Sequence, residues 1–323
     1  MKRYFLKLLG ASLVAIFVAG AAMAQDYPNK PIRLVAPFAP GGAVDILARI
    51  IAEQLGTQYG QSIVVDNKPG ASGHVGAQLV AKAPGDGYTL MVGTIGIHAA
   101  YKSYSKLTYD PANELQPVMV IGESPNVVLV PVNSKYQTFA DFLADARAHP
   151  GRINYASAGA GSSVHMVTEL FQLAIGQRMN HVPYKGSGPA LVDLIGGQVD
   201  VMFDNLSSGL PQVRGGKLRA LAVTGAKRDA RLPDVPNIAE AGVPGYSGTS
   251  WFTLAAPASM PAALVEKLNQ DVQKVLASPE VVARYDKMGM NYAPNSPAEA
   301  AAFFKSETAK WTRVIEAAKL KLD

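Results

Sequence analysis

The sequence predicts an α/β protein with two lobes, and three observations support this class. From residue 27 onward, short apolar runs rich in β-branched residues alternate with longer runs of helical periodicity, which is typical of parallel strands joined by helices. The chain has 323 residues, of which 48% are hydrophobic, enough for two ordinary domains. It has no cysteine, which excludes a disulfide framework, a thiolate metal site and a cysteine nucleophile.

The first 24 residues have the pattern of a secretory leader. A basic segment with Lys2, Arg3 and Lys7 precedes an apolar run over 8–22, and small residues at 22–24 form a cleavage site. The run is shorter than the roughly 20 residues that a membrane-spanning helix needs. We therefore expect cleavage after Ala24 and a periplasmic product. Loss of the three positive charges lowers the formal charge from +5 to +2. The remaining excess of positive charge is small and gives no support to a nucleic-acid partner.

Each predicted element rests on periodicity or on turn residues. Apolar residues between Ile46 and Leu55 recur on one face of a helix, and Pro-Gly or Asp-Gly pairs mark turns. The first region, 25–125, is predicted to hold, in order, strand 32–36, a loop at 37–42, the helix around 46–55, strand 62–65, a turn at 67–70, helix 75–82 and strand 88–92.

A second region is predicted over 126–248, because residues 123–125 interrupt the pattern before an apolar run. Its predicted elements are strand 127–130, helix 139–148, strand 154–156, a Gly/Ser loop at 158–163, helix 166–175, strand 181–184, helix 189–195 and strands 199–203 and 218–223. Three prolines and three glycines over 232–248 indicate a crossover. The rest, 249–323, is expected to return to the first region with strand 251–255 and helices 261–277, 281–288 and 297–318.

Two glycine-rich loops are the main candidates for a binding site. Residues 36–45 lie between a buried strand and a helix start, and residues 155–163 repeat this design in the second region. Helix N-termini offer unpaired N–H groups and a partial positive charge, and ligands of open α/β sheets bind beyond the carboxyl ends of the strands. We expect the loops to face each other and to hold carboxylates. The alternative is that the glycines only permit tight turns.

Other chemistries receive less support from the residues. Neither loop has the spacing of a nucleotide-binding motif, and the single, scattered histidines lack metal-binding spacing, so we predict no cofactor and no metal. Asp45, near a helix start, is expected to brace the first loop. Ser162 or Ser163 with His165 leaves a hydrolase open, although no G-x-S-x-G elbow is present. We predict that the chain is not an enzyme.

Polar and aromatic residues at the ends of predicted strands are further candidates. Tyr184 and Asp204 end strands in the second region, where site residues gather in this architecture, although a turn role is equally open for them. Trp251 and Phe252 follow the crossover. We expect one of these two rings to line the cleft and the other to lie in the core.

Five ordered motifs resemble one family. They are Y-P-x-K-P-I at 27–32, P-F-A-P-G-G-x-x-D at 37–45, V-x-N-K-P-G-A at 65–71, A-P-x-D-G-Y-T-L at 83–90 and Y-A-S-x-G-x-G-S at 155–162. The sequence resembles the Bug family, the periplasmic substrate-binding proteins of tripartite tricarboxylate transporters, over nearly all of the chain after residue 24. The resemblance implies a type II periplasmic binding protein fold whose lobes, 25–125 plus 249–323 and 126–248, close on a ligand.

The resemblance also implies site residues and partners. The residues implied to bind the carboxylate are Phe38, Ala39, Gly41, Gly42, Ser157, Ala160 and Ser162. Tyr184 and Asp204 are implied to contact the rest of the ligand. His74 and His98 differ from the residues that similar sequences usually have at these positions, and we expect them on the cleft side. Together with His165 and Trp251, they are weaker candidates for contact with the ligand. The implied partners are a small carboxylate, such as a dicarboxylate, a tricarboxylate or an aromatic acid, and membrane permease subunits. We expect a monomer. A sensory role for the liganded form is the alternative to transport.

Overall fold

The structure is a computed structural model, and it describes residues 27–322. The predicted leader and its cleavage site after Ala24 lie outside these residues. Nine strands are described: β1 Ile32–Ala36, β2 Ile63–Asn67, β3 Thr89–Thr94, β4 Leu115–Pro131, β5 Asn154–Ser157, β6 Asn180–Pro183, β7 Val201–Asn205, β8 Leu218–Val223 and β9 Thr249–Pro257. The α-helices in the same residues are α1 Ala43–Tyr59, α2 His74–Ala81, α3 Ile95–His98, α4 Phe139–Ala148, α5 Ser163–Ile175, α6 Ser187–Ile195, α7 Leu206–Arg214, α8 Ala262–Leu276, α9 Pro279–Met288 and α10 Pro297–Ala318.

The strands form two connected sheets. Sheet 1 has the order β2-β1-β3-β9-β4, in which β1 runs parallel to β2 and β3, and β9 runs antiparallel to β3 and β4. Sheet 2 has the order β6-β5-β7-β4-β8, in which β5 runs parallel to β6 and β7, and β4 runs antiparallel to β7 and β8. Each sheet therefore has parallel strands whose carboxyl ends meet at one edge, the usual place for a ligand site.

Strand β4 belongs to both sheets. It pairs with β9 as far as Pro125, opposite Thr249, and with β7 from Asn126, opposite Asn205. Asn126 is fully buried at this change of partner: its Nδ2 donates to the Phe203 carbonyl at 2.7 Å, and its Oδ1 accepts from the Ser250 hydroxyl at 2.8 Å. Buried hydrogen bonds thus fix the point at which the two sheets join.

Three predicted details of the secondary structure are corrected. The break predicted at 123–125 lies inside β4, where these three residues pair with residues 249–251 of β9. Helix α7 was not predicted, since it contains Gly209 and Pro211. The short helix α3 also lacked a local signal. The other predicted elements are present, with ends that differ by a few residues.

The C-terminal helix α10 packs across both parts of the molecule. Its Trp311 and Ile315 lie in one apolar cluster with Ile95 of α3 and with Met166 and Val167 of α5. The helix therefore contacts elements that follow sheet 1 and sheet 2 alike. Within residues 27–322, none of the helices combines the length and the apolar character that crossing a bilayer requires.

Candidate functional site

Five helices begin at one small cavity between sheet 1 and sheet 2. The cavity has a volume of about 20 Å³, and its wall contains the first residue, or the residue just before it, of α1, α3, α5, α6 and α7. The lining residues are Phe38, Gly42, Ala43, Val44, Thr94, Ala158, Ser162, Ser163, Ser187, Asn205 and Phe252. None of them is charged, so backbone dipoles and neutral side chains set the electrostatics of the described wall.

Several hydrogen-bonding groups at this cavity have no partner in the described protein. Helix α1 begins after Gly42, so no side chain caps the N–H groups of its first turn. The hydroxyl of Thr94 and the side-chain oxygen of Asn205 are buried without a hydrogen bond. Because buried polar groups are rarely left unpaired, these groups indicate a place for a polar ligand.

The first loop is braced from behind by Asp45. Its Oδ2 accepts the Gly41 N–H at 3.1 Å, and its Oδ1 accepts from Asn67 Nδ2 at 3.1 Å and from Arg49 at 2.9 Å. Burial acts to raise the pKa of Asp45, but the hydrogen bonds from Arg49, Gly41 and Asn67 hold it below its usual value. The carboxylate therefore remains ionised and directs its charge to the loop rather than to the cavity.

The second loop is held by two stacked imidazoles. His165 Nδ1 accepts the Gly161 N–H at 2.9 Å, and its ring lies 4.2 Å from that of His181. Ser157 Oγ lies 2.6 Å from His181 Nε2 and accepts the Gly159 N–H at 3.0 Å. The Nδ1 atom of His165 accepts a hydrogen bond here, which only an unprotonated ring nitrogen can do. The side chain of Ser157 is thereby occupied behind the loop.

The two loops also make contacts across the gap between the sheets. The Ala39 N–H donates to the Lys185 carbonyl at 2.9 Å, and the hydroxyls of Ser72 and Tyr104 both donate to the Ala160 carbonyl. These bonds join residues near sheet 1 to residues near sheet 2. The described arrangement is therefore a closed one, with little free volume between its halves.

The structure brings together only part of the predicted set. Phe38, Gly42 and Ser162 line the cavity, whereas Ala39, Gly41, Ser157 and Ala160 lie beside it in the two loops. Tyr184 points elsewhere, with its hydroxyl donating to Asp193 at 2.7 Å. Asp204 lies fully buried behind the wall. The ligand roles of all these residues stay predictions.

The four weaker candidates lie outside the cavity wall. His74 is buried with Nδ1 2.8 Å from the Tyr109 hydroxyl, and the His98 ring stacks on Phe304. Trp251 donates its Nε1 to Glu307 at 2.7 Å, so Phe252, the other ring of the pair, is the one that lines the cavity. His165 acts on the loop through Gly161.

The hydrolase alternative requires a serine hydroxyl bonded to the ring of His165, and the described contacts do not include such a bond. Ser162 Oγ accepts the backbone N–H of His165 as a helix cap. Among the described contacts, the His165 ring makes no hydrogen bond to the hydroxyl of Ser162 or Ser163. A general base without its nucleophile cannot start acyl transfer.

Sequence reasoning did not select three of the polar lining side chains. Thr94 and Asn205 are the last residues of β3 and β7, and Ser187 is the first residue of α6. The signal that could have found Thr94 and Asn205 is a polar residue directly at the end of a buried strand. Ser187 has no comparable local signal.

The buried imidazoles make the fold sensitive to acid. Burial lowers the pKa of His165 to about 4 and that of His181 to about 3, below the ordinary 6.5. The unfolded chain thus binds protons that the folded chain does not, and stability is lost as the pH falls from about 6.5 toward 4. We expect the free energy of unfolding in urea to drop by about 1 kcal/mol for each of these imidazoles between pH 7.5 and 5.5.

Variants separate these imidazoles from other titrating groups. His181→Gln should lower the number of protons taken up on unfolding by about one, and the free energy of unfolding should then depend less on pH. His149→Gln, which changes an exposed imidazole that bonds Asp145 and lies outside the stacked pair, is the comparison variant. Equal stability at the two pH values in the unaltered protein would contradict this account.

Comparison with known proteins places the chain in a family. The sequence model described as "Tripartite tricarboxylate transporter family receptor" matches residues 47–320. The chain belongs to this receptor family. Protein BugT of Bordetella pertussis (strain Tohama I) is 34% identical over 319 residues, which cover 98% of this chain and 98% of BugT. The predicted membership of the Bug family is thereby confirmed.

Two solved structures of the same type are closely similar to the chain. R. palustris Rpa4515 with adipate is 41% identical, with a TM-score of 0.88 over 92% of this chain and 99% of that one. MatC (Rpa3494) from Rhodopseudomonas palustris with bound malate is 33% identical, with a TM-score of 0.85 over 90% of this chain and 100% of that one. The predicted α/β fold, a type II periplasmic binding protein with two lobes, is confirmed. The family consists of solute-binding receptors.

Proposed function

We propose that the chain captures a small dicarboxylate in the cleft between its lobes and delivers it to the membrane subunits of a tripartite tricarboxylate transporter. The lobes would be residues 25–125 with 249–323, and residues 126–248. The observation that carries the proposal is the cavity at which helix N-termini converge and at which Thr94 and Asn205 are buried without partners. Adipate and malate in the related receptors support a carboxylate as the ligand class.

The mechanism would be closure of the lobes on the acid. Main-chain N–H groups of α1 and α5 and the hydroxyl of Thr94 would donate charge-assisted hydrogen bonds to a carboxylate. A cavity of about 20 Å³ has room for a water molecule but not for a six-carbon diacid, so the lobes would separate to admit the ligand. Binding would then shift the population toward a closed form around the ligand, whose surface the permease recognises.

The cellular setting follows from the same proposal. The leader at residues 1–24 would direct secretion and be removed after Ala24, so that the receptor works in the periplasm. It would act as a monomer, without a cofactor and without turnover of the acid.

Thermal unfolding with three ligands of matched length tests the anion preference. We expect adipate to stabilise the receptor by about 2.7 kcal/mol at 100 times its dissociation constant, a rise of roughly 5 °C in the midpoint. Malate is measured alongside, and 1,6-hexanediol and 1,6-diaminohexane should give no shift. Stabilisation by the diamine or the diol, with none by either acid, would overturn the proposal.

A pair of threonine variants localises the binding site. Thr94→Val removes the unpartnered hydroxyl at the cavity and should weaken acid binding about tenfold, the effect of one hydrogen bond to a charged group. Thr253→Val removes another buried, unpartnered hydroxyl, on β9 and not among the lining residues, and should leave the affinity unchanged. Equal affinities in both variants would place the ligand elsewhere.

A further inference from the structure

A buried carboxylate lies directly behind the cavity wall. Asp204 is 0% exposed at the end of β7; its Oδ1 accepts the Ser187 hydroxyl at 2.6 Å and its Oδ2 accepts the Ser208 hydroxyl at 2.6 Å. Burial raises the pKa of Asp204 to about 6, against the lowering effect of the hydrogen bonds from Ser187, Ser208 and the Asn205 N–H. None of these partners is a cation, so a proton can be taken up without breaking an ion pair.

Among residues 27–322, the ionisable groups on the elements packed around Asp204 are bonded to other residues. Strand β4 faces it with Val127. Helix α5 packs on β7 with two ionisable groups: His165, which accepts the Gly161 N–H, and Glu169, which accepts from Tyr155 and Arg178. The ionisable groups on the other elements also have partners, which are Tyr184 for Asp193 on α6, the Lys287 carbonyl for Arg214 on α7, and Arg49 for Asp45 on α1. The carboxyl group therefore responds chiefly to what occupies the cavity.

Ser187 connects Asp204 to the cavity. Its side chain lies in the wall, and its single hydroxyl proton is donated to the carboxylate. While Asp204 is ionised, Ser187 can only accept a hydrogen bond from the cavity side. When Asp204 carries a proton, the carboxyl O–H can donate to Ser187, and the hydroxyl proton of Ser187 becomes free to turn toward the cavity.

We propose that Asp204 takes up one proton when an anionic ligand binds, and that Ser187 then donates its hydroxyl proton to a carboxylate of that ligand. The proton comes from the solvent, and no covalent bond other than its own O–H forms or breaks. An ionised Asp204 would repel the anionic ligand and would keep the hydroxyl proton of Ser187 turned away from it. Protonation of Asp204 removes both effects. Asp204 is thus a positioning residue for Ser187, and this role rests on the proposed function.

The coupling fixes the sign of the pH dependence. A ligand that raises the pKa of Asp204 binds more tightly as the pH falls, since the bound state holds more protons than the free state. Between pH 8 and pH 6 the affinity should rise by up to about tenfold per pH unit. At and above pH 6 small dicarboxylic acids are themselves largely ionised. Titration of the ligand therefore contributes little to the change of affinity with pH.

Titration calorimetry at pH 7 in two buffers measures the proton directly. Adipate and malate are titrated in PIPES and in imidazole, whose enthalpies of ionisation differ, and the difference in observed heat gives the number of protons taken up. We expect about one proton per acid bound. Binding with the same heat in both buffers would overturn the coupling alone; failure of both acids to bind would overturn the proposed function and the coupling with it.

An isosteric variant distinguishes coupling from a structural role. Asp204→Asn is neutral at every pH and can donate to Ser187, so it should take up no proton and should bind about tenfold more tightly than the unaltered receptor at pH 8. A purely structural role would lower its affinity at all pH values. Asp193→Asn, which also changes a hydrogen-bonded aspartate, on α6, is the control and should keep the proton uptake. If Asp204→Asn fails to fold, the proton count of the unaltered receptor decides the question.

Discussion

Gly188→Ala is expected to lose ligand affinity by about 100-fold or more while the protein keeps its fold. A Cβ at residue 188 would lie 2.1 Å from the carbonyl oxygen of Pro40, far inside the 3.0 Å that real Cβ atoms keep. Gly188 lies in the first turn of α6, whereas Pro40 lies in the first loop, so the clash arises only where the two halves meet. The closed arrangement would be excluded, and with it the bond from the Ala39 N–H to the Lys185 carbonyl.

The same substitution should leave stability unchanged or slightly higher. Alanine favours a helix over glycine by up to about 1 kcal/mol, and Gly188 is not in the left-handed region of backbone conformation. Calorimetry with adipate measures the affinity, urea unfolding the stability, and small-angle scattering the separation of the lobes.

Gly196→Ala is the matched control for closure. It makes the same change at the other end of α6, where a Cβ would meet only carbonyl oxygens at 3.5 and 3.6 Å, and it should retain both affinity and stability. Unchanged binding in Gly188→Ala would mean that the described closed arrangement is not the form that holds the ligand. A joint loss of affinity and stability would assign the effect to folding instead.

Gly93→Ala is expected to lower the free energy of unfolding by about 3 kcal/mol or more. Its Cβ would lie 2.0 Å from His98 Nε2 and 2.5 Å from the Thr253 hydroxyl oxygen. The His98 ring cannot move aside easily, because it stacks on Phe304 with ring centres 4.5 Å apart and lies in a fully buried site. The backbone of β3 would have to shift next to Thr94, so ligand affinity should fall as well.

A double-mutant cycle tests the cause of this effect. His98→Ala alone should destabilise the protein by leaving a cavity, but combined with Gly93→Ala it should cost less than the sum of the two changes. Strict additivity of the two free energies would show that the ring is not the obstacle to the new methyl group.

The two loops of the site could be predicted from the sequence because the residues that mark them are neighbours in the chain. Glycines at 41, 42, 159 and 161 lie between strands and helix starts, and this arrangement by itself predicts exposed N–H groups. Asp45 was expected to brace its loop from its place in the first helical turn, and in the structure its Oδ2 accepts the Gly41 N–H. The ligand contacts that the sequence assigned to these loops stay predictions.

The partners of individual side chains were not accessible in the same way. Ser157 was selected for the ligand, yet its hydroxyl lies 2.6 Å from His181 Nε2, a residue 24 positions away. Tyr184 was selected as well, but its hydroxyl bonds Asp193 within the next helix. A hydroxyl gives its one proton to whichever acceptor the fold places nearest, and sequence spacing does not fix that distance.

The sequence by itself determined the alternation of strands and helices, the family and the position of the two amide-rich loops, because periodicity, turn residues and motifs act over a few neighbouring residues. Only the tertiary structure decided that β4 serves both sheets, that Thr94, Ser187 and Asn205 meet at one cavity, and that Asp204 lies behind it. These features depend on contacts between distant segments, such as the pairing of Leu115 with Pro257, which are 142 residues apart, and such contacts form only when the whole chain has packed.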